Sequence, residues 1–252
     1  MKNTNLVGIS GKMRSGKDTA ARIIQELAAN PGLSDTEILQ RIHNTPVFNP
    51  ENSPWKVKKF AKALKEMTSL LTGIPVEKFE DQEFKEEPVS DKWNSYTLHV
   101  LDNGRLVKSL KNYSSRNDAE IVADFHSRTP YMDTVKFEIQ EVPVTSRDML
   151  INVGDAIRNN VHKNAFVTSL FSDFDEEHSK WLITDVRFKN ELEEIVRRNG
   201  VTLRMSNGKN TRQHASETDL DDASFDCIID NRGTLEELVA KVRRFCNTYN
   251  VI

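Results

Sequence analysis

Two cysteines, Cys227 and Cys246, are all that the 252 residues contain. That is too few for a disulfide framework, and they lack metal-type spacing, so a reduced compartment is expected. Cys227 lies in the apolar run Phe225–Ile229, where a buried core thiol is expected. Glycine and proline are also scarce, 10 and 8 residues, which excludes collagen-like and low-complexity chains. No apolar run approaches the ~18 residues of a membrane helix. The N-terminus reaches the polar pair Gly11 and Lys12 before a signal-peptide apolar region develops. An excess of one charge is missing too. Thirty-five basic against 38 acidic residues leave a net charge of −3. That balance gives no global electrostatic case for nucleic acid or anionic membrane as the main partner. Hydrophobic residues, at 37%, suffice for a core at this length. One α/β domain with an insertion fits as well as two small domains.

Periodicity supplies an element order. Asn5–Ser10 reads as a short strand, Gly11–Gly16 as a turn and Lys17–Ala29 as a helix, with Ala20, Ile23, Ile24 and Leu27 on one face. Ser34 and Glu37 form a capping box for a short helix. Residues 44–54 read as loop, followed by a strand over Val57–Phe60 and a helix over Ala61–Leu71. The charged stretch 77–92 is expected to be a solvated surface. From Trp93 to Pro143 the pattern turns β-rich. Asp102, Asn103 and Gly104 form a hairpin-turn signal between two apolar runs, and Thr134–Val142 alternates as a half-buried strand. Helices are expected over Thr145–Asn160, Ala165–Phe174, Lys189–Asn199 and Thr234–Asn247, with strands over Lys180–Asp185, Val201–Met205 and Phe225–Ile229. Thr234 and Glu237 make a second capping box. Strands alternating with helices imply a mostly parallel sheet covered on both faces. Phe166 and Phe171 are expected in the core.

The segment Gly11-Lys12-Met13-Arg14-Ser15-Gly16-Lys17 fits the phosphate-loop pattern G-x-x-x-x-G-K, between a strand and a helix. Two glycines let the backbone curl so that successive N–H groups face an anion. The helix N-terminus adds partial positive charge, and Lys17 reaches the β- and γ-phosphates. Lys12, Arg14 and Lys17 place three cations on one loop. The pattern departs at the next position, where Asp18 stands for the usual serine or threonine, with Thr19 after it. Asp18 then suits Mg²⁺ through water, since Mg²⁺ keeps several waters in nucleotide sites; Thr19 is the alternative hydroxyl. Asp185 ends a buried strand, where open α/β sheets form their ligand crevice, and is expected to organise metal or a bound hydroxyl there. Arg187 can grip phosphate oxygens. The structural alternatives are a helix N-cap or strand-end turn for Asp185 and a surface ion pair with Glu191 for Arg187.

The sequence resembles the phage-type deoxynucleoside monophosphate kinases. The resemblance is carried by Ser10–Thr19, Phe60–Lys65, Ser146–Leu150 leading to Gly154, and Thr184–Phe188 with Glu191. It continues in His214–Glu217 and Asp230–Leu238. These pieces run in order over nearly the whole chain, and they make Asp18 a feature of the family. The resemblance implies a three-layer α/β P-loop nucleotide-kinase fold with a parallel sheet. It implies a single domain over 1–252, with acceptor and lid elements around 44–92 and the β-rich insertion around 93–143. It implies transfer of the ATP γ-phosphate to a deoxynucleoside monophosphate, with Mg²⁺. On that reading Lys17, Arg14 and Arg187 are catalytic. Gly11, Lys12, Met13, Arg14, Ser15, Gly16, Lys17, Asp18 and Thr19 bind ATP, with Asn231 and Gly233 beside the adenine. Lys62, Arg147, Arg158, Asp185 and Arg187 hold the acceptor, and Asp18 and Asp185 serve the metal through water. Of the lysines at 58, 59, 62 and 65, only Lys62 is kept as a site candidate; the others read as a solvated face.

Partners on this reading are small-molecule nucleotides, without nucleic acid or membrane, and a homodimer is left open. The compartment is cytoplasmic, the host cytoplasm for a phage-encoded chain. The 93–143 insertion has no clear counterpart in the family's motifs. The lid arginine is left between Arg204 and Arg212, and His214 between a nucleotide contact and helix initiation with Ser216 as cap. Two competing functions stay open: a P-loop kinase for another phosphate ester, of the phosphomevalonate type, and a nucleotide-binding regulatory protein without transferase activity.

Overall fold

In the computed structural model, residues 2–44, 52–81, 83–128, 134–207 and 218–252 are described. Along the chain run β1 (Asn3–Gly11), α1 (Lys17–Ala29), α2 (Asp35–Asn44), β2 (Lys56–Lys58) and α3 (Ala61–Thr72). Then come β3 (Ser95–Asp102), β4 (Arg105–Tyr113), α4 (Arg116–Ser127), β5 (Val135–Val142), α5 (Ser146–Asn160) and α6 (Ala165–Leu170). The last are β6 (Trp181–Val186), α7 (Lys189–Arg197), β7 (Gly200–Ser206), β8 (Cys227–Asp230) and α8 (Leu235–Tyr249). Two compact units emerge, one of residues 1–63 with 161–252 and one of residues 64–160.

The first unit is built on a five-stranded parallel sheet in the order β2-β6-β1-β7-β8. The first strand lies at its centre because its residues are apolar on both faces, as a strand covered on both sides requires. Val7 and Ile9 pack with Ile23 and Leu27 of α1, Ile38 of α2 and Val242 of α8. Leu6, one residue out of phase, packs the opposite way with Ile183, Phe171, Leu192 and Ile195. All of these are fully buried except Phe171 and Leu192, which are nearly so. Each such side chain contributes roughly 1.5–3 kcal/mol, so the two-faced pattern sets the three-layer α/β architecture. The chain leaves β1 toward β2 on one side, and after β6 crosses to β7 on the other. This reversal opens a crevice at the carboxyl ends of β6, β1 and β7.

The second unit holds a three-stranded antiparallel sheet in the order β4-β3-β5. The expected hairpin is there. Asn103 (φ 48°) and Gly104 (φ 76°) both take left-handed backbone, the conformation of a type I′ turn and the reason for an Asn-Gly pair. The β-rich reading of 93–143 needs one correction: it contains the twelve-residue helix α4. Ser115 caps it by accepting from the Asp118 N–H at 3.1 Å. The short-range pattern there is mostly polar, and burial rests on Ala119 alone in this helix, so hydrophobic periodicity carried little signal.

Other expectations shift in detail. The helix from Ala165 ends at Leu170 and tightens into a 3-10 turn over Phe171–Asp173; Phe166 and Phe171 are buried, as expected. The charged stretch 77–92 is exposed at nearly every charged position, as expected. Within its unit it also forms short 3-10 turns, Phe79 is fully buried, Glu80 pairs with Lys65, and Glu86 pairs with Arg147 at 2.7 Å. Cys227 is only half-buried, at the start of the edge strand β8, whereas Cys246 is buried in α8. The Ser34–Glu37 box forms, with the Ser34 N–H donating to Glu37 at 2.8 Å and the Glu37 N–H donating to Ser34 Oγ at 3.3 Å. Thr234 Oγ1 accepts from the Glu237 N–H at 3.2 Å. Among the described residues, no helix is long and apolar enough to cross a membrane. Most of the expected 44–54 loop, together with Arg212, His214, Ser216 and Glu217, lies outside the described residues.

Candidate active site

The turn between β1 and α1 is forced by its glycines. Gly11 has φ 150° and Gly16 φ 93°. A β-carbon on Gly11 would stand 2.4 Å from Ser15 Oγ, and one on Gly16 2.4 Å from Asn231 Nδ2. Arg14, exposed at the apex, also has left-handed backbone at φ 60°. Strain of that kind persists only where surrounding contacts hold it. Here Ser15 N donates to Lys12 O at 3.1 Å, Asn207 Nδ2 to Arg14 O at 3.0 Å and Asn231 Nδ2 to Ser15 O at 3.0 Å. Arg14, Ser15, Gly16, Lys17, Asp18 and Thr19 line a cleft of about 260 Å³ at the N-terminus of α1. Lys17 Nζ folds back over the loop, donating to the carbonyls of Gly11 at 2.5 Å and Lys12 at 2.8 Å. No side chain caps α1, so its N-terminal field is aimed at whatever enters the cleft.

A ring of charge surrounds the loop. Lys12 Nζ reaches Asp221 at 3.1 Å, and Arg204, on β7, donates to the same carboxylate at 3.0 Å and to Ser10 Oγ at 2.8 Å. Part of the loop's positive charge is therefore balanced by Asp221, 209 residues from Lys12 in sequence. A narrow crevice beside it is lined by Gly11 and Lys12 of the loop and by Ser10, Val186, Arg187, Arg204 and Leu220. Asp18, exposed, accepts from Thr184 Oγ1 at 3.1 Å and lies 3.6 Å from Lys59 Nζ. The acidic side chain of α1 is thus joined to the end of β6 and to the entry of α3.

Asp185 is half-buried, with its carboxylate turned onto that entry. Its two oxygens accept from Phe60 N and Ala61 N, both at 2.9 Å. Burial raises its pKa, against the lowering effects of those two N–H groups and of Arg187 and Lys59. This is not the local cap or strand-end turn of the alternative reading: Phe188 is the N-cap of α7, and Asp185 instead holds the start of a helix about 125 residues earlier in the chain. Glu191, buried, accepts from the N–H groups of Arg187 at 2.8 Å and Phe188 at 3.0 Å. It holds the backbone of Arg187 and so fixes where that side chain begins.

The remaining candidates sit elsewhere. Lys62 is on the first turn of α3. Gly233 lies just before α8, and a β-carbon there would meet Glu237. Arg147 and Arg158 belong to the second unit, on α5; Arg147 is engaged by Glu86 and Arg158 lies 3.5 Å from Asp155. Four residues around the loop carried no assigned role in the sequence reading, Ser10, Thr184, Asn207 and Asp221, and a fifth, Lys59, had been read as part of a solvated face. Thr184 and Lys59 directly precede residues that had been singled out, Asp185 and Phe60, so adjacency was the available signal. Asn207 and Asp221 had none, because they lie 193 and 209 residues from the loop residues they bond and meet them only in the fold.

The sequence profile described as "Deoxynucleotide monophosphate kinase" matches residues 5–242. The deoxynucleotide monophosphate kinase of Escherichia phage RB69 is 24% identical over 259 aligned positions, covering 95% of this chain and 98% of that protein. The match therefore takes in both units, from the first residues of β1 through most of α8. The chain belongs to the deoxynucleotide monophosphate kinase family.

Proposed function

We propose that this protein transfers the γ-phosphate of ATP to a deoxynucleoside monophosphate, releasing the diphosphate. The observation that carries the reading is the β1–α1 loop, a glycine-turned cleft with Lys17 folded over it at the N-terminus of an uncapped helix. Such a loop cradles phosphates with its N–H groups. In this reading Lys17 exchanges its two carbonyl partners for donor phosphate oxygens, and Arg14 closes over them from the apex. Arg187 neutralises charge between donor and acceptor. Lys62 is the cation of the first unit for the acceptor phosphate, and the 231–234 turn borders the adenine.

Positioning and electrostatics carry the rate. The acceptor phosphate oxygen attacks the γ-phosphorus in line while the bond from that phosphorus to the β–γ bridging oxygen breaks, so ADP leaves. No general base is required, because a monophosphate is already largely ionised near neutral pH. The donor set suits Mg²⁺: one exposed carboxylate, Asp18, beside the Thr184 hydroxyl. Mg²⁺ in nucleotide sites uses one or two carboxylates, substrate phosphates and water. When bound it would offset the charge of the donor phosphates. Asp185 spends both oxygens on α3, so in this reading it anchors the site and Asp18 faces the ion.

A coupled assay with ATP against every deoxy- and ribonucleoside monophosphate tests the proposal. Diphosphate formation from at least one deoxynucleotide is expected, with Lys17→Ala lowering turnover on the order of 10²–10³-fold while the fold is kept. Phosphorylation of phosphomevalonate but of no nucleotide would overturn it, as would ATP binding with no turnover of any acceptor.

A further inference from the structure

We infer that Asn231 is a positioning residue for the donor phosphates, acting through the Ser15–Gly16 peptide. The inference rests on the reading of the β1–α1 loop as the ATP cradle. Asn231 Nδ2 donates to the Ser15 carbonyl at 3.0 Å. A trans peptide is planar, and its carbonyl and the following N–H point in opposite directions. Holding the Ser15 carbonyl outward therefore turns the Gly16 N–H toward the inside of the loop, at the start of α1. The side chain is well placed to do this. Its own backbone N–H donates to Ser206 O at 2.7 Å, tying the turn after β8 to the end of β7. Its amide also lies where a Gly16 β-carbon would be, 2.4 Å away, with Met205 Cε next at 3.9 Å.

Gly16 and Asn231 thus form one contact across 215 residues of chain. The positive φ that Gly16 adopts and the amide that fills the vacated space support the same peptide orientation. Asn207 does the equivalent for the Arg14 carbonyl. That peptide's N–H, however, belongs to Ser15 and is already spent on Lys12 O. Of the two asparagines, only Asn231 orients an N–H that starts the helix. This role differs from contact with the base: Asn231 would act on the phosphates whatever nucleoside carries them.

Calorimetric titration of native protein and of Asn231→Ala with ATP, inorganic tripolyphosphate and a deoxynucleoside monophosphate separates these roles, with a melting curve of each free protein. The expected result is about tenfold weaker binding of both ATP and tripolyphosphate, the equivalent of one net hydrogen bond. Monophosphate affinity should stay within about twofold and the melting temperature within about 2 °C. Loss confined to ATP, with tripolyphosphate unchanged, would place Asn231 on the base and overturn the inference. Unchanged binding, or equal loss for all three ligands with a lowered melting temperature, would overturn it as well. Asn231→Ser, which leaves a smaller void, repeats the test if the alanine variant does not fold. These readouts need no turnover. A protein that phosphorylates no deoxynucleotide yet loses tripolyphosphate affinity on substitution would keep the inference and sink the proposed acceptor. A native protein that binds neither polyphosphate would sink the cradle itself.

Discussion

Replacing Asp185 tests whether the end of β6 anchors the site or takes part in the chemistry. Its carboxylate accepts from Phe60 N and Ala61 N, both at 2.9 Å. Asp185→Ala leaves both N–H groups facing a methyl group. A lost helix cap costs roughly 0.5–2 kcal/mol, and a hydrogen bond to a charged group contributes roughly 1.5–3 kcal/mol. Release of a partly buried charge offsets some of this, so a net destabilisation of about 2–3 kcal/mol is expected, or about 4–12 °C in Tm. Asp185→Asn keeps one acceptor oxygen and should lose about half as much.

The pH dependence has a definite sign. Burial holds the Asp185 carboxyl above its ordinary pKa, so the folded state binds this proton more tightly than the unfolded chain. That contribution is full below the unfolded value of about 3.9 and is lost as pH rises through the folded one. The D185N protein does not titrate there, so its stability deficit should narrow as pH rises. Urea titrations of the three proteins between pH 4 and pH 8 provide the measurement. If D185A kept its stability within about 0.5 kcal/mol while turnover collapsed, the anchoring argument would fail and Asp185 would belong to the reaction.

Three further outcomes are expected. On the proposed role of Arg187, its charge acting between donor and acceptor, Arg187→Ala should lower kcat more than it weakens ATP binding; weakened ATP binding with normal turnover at saturation would refute that role. Cys246 is pushed up to about 12 by burial, so at pH 8 only about one molecule in 10⁴ carries its thiolate. A thiol reagent should therefore modify half-buried Cys227 first and Cys246 only on unfolding; equal rates would contradict the packing of α8. Gly104→Ala forces a β-carbon into left-handed backbone at φ 76° in otherwise open space, and should cost about 1–2 kcal/mol. Hydrogen exchange across β3 and β4 reads the effect, and unchanged protection would argue against the type I′ turn.

Local chemistry wrote the parts of this protein that depend on near neighbours. Gly11, Gly16 and Lys17 specify the tight β1–α1 turn because backbone freedom and a helix terminus act within seven residues. Asn103 and Gly104 specify a hairpin because two positive φ angles in succession exclude most other residues. The two-faced apolar pattern of β1 placed it inside a covered sheet. What the sequence left undecided is what distant segments do when they meet. Asp185 read as a ligand, with a local cap or turn as the alternative, until the N–H groups of Phe60 and Ala61 came against its carboxylate. Lys12 read as one of three cations on one loop, and the carboxylate of Asp221 beside it and Arg204 appears only in the fold. Asn231 carried no sign of its hold on Ser15, because a single amide 216 residues away leaves no period, spacing or composition to detect. Hydrogen bonds and ion pairs of that range exist only once the sheet has set the order β2-β6-β1-β7-β8. Tertiary structure therefore decided which polar side chains serve the loop, the helices or the solvent.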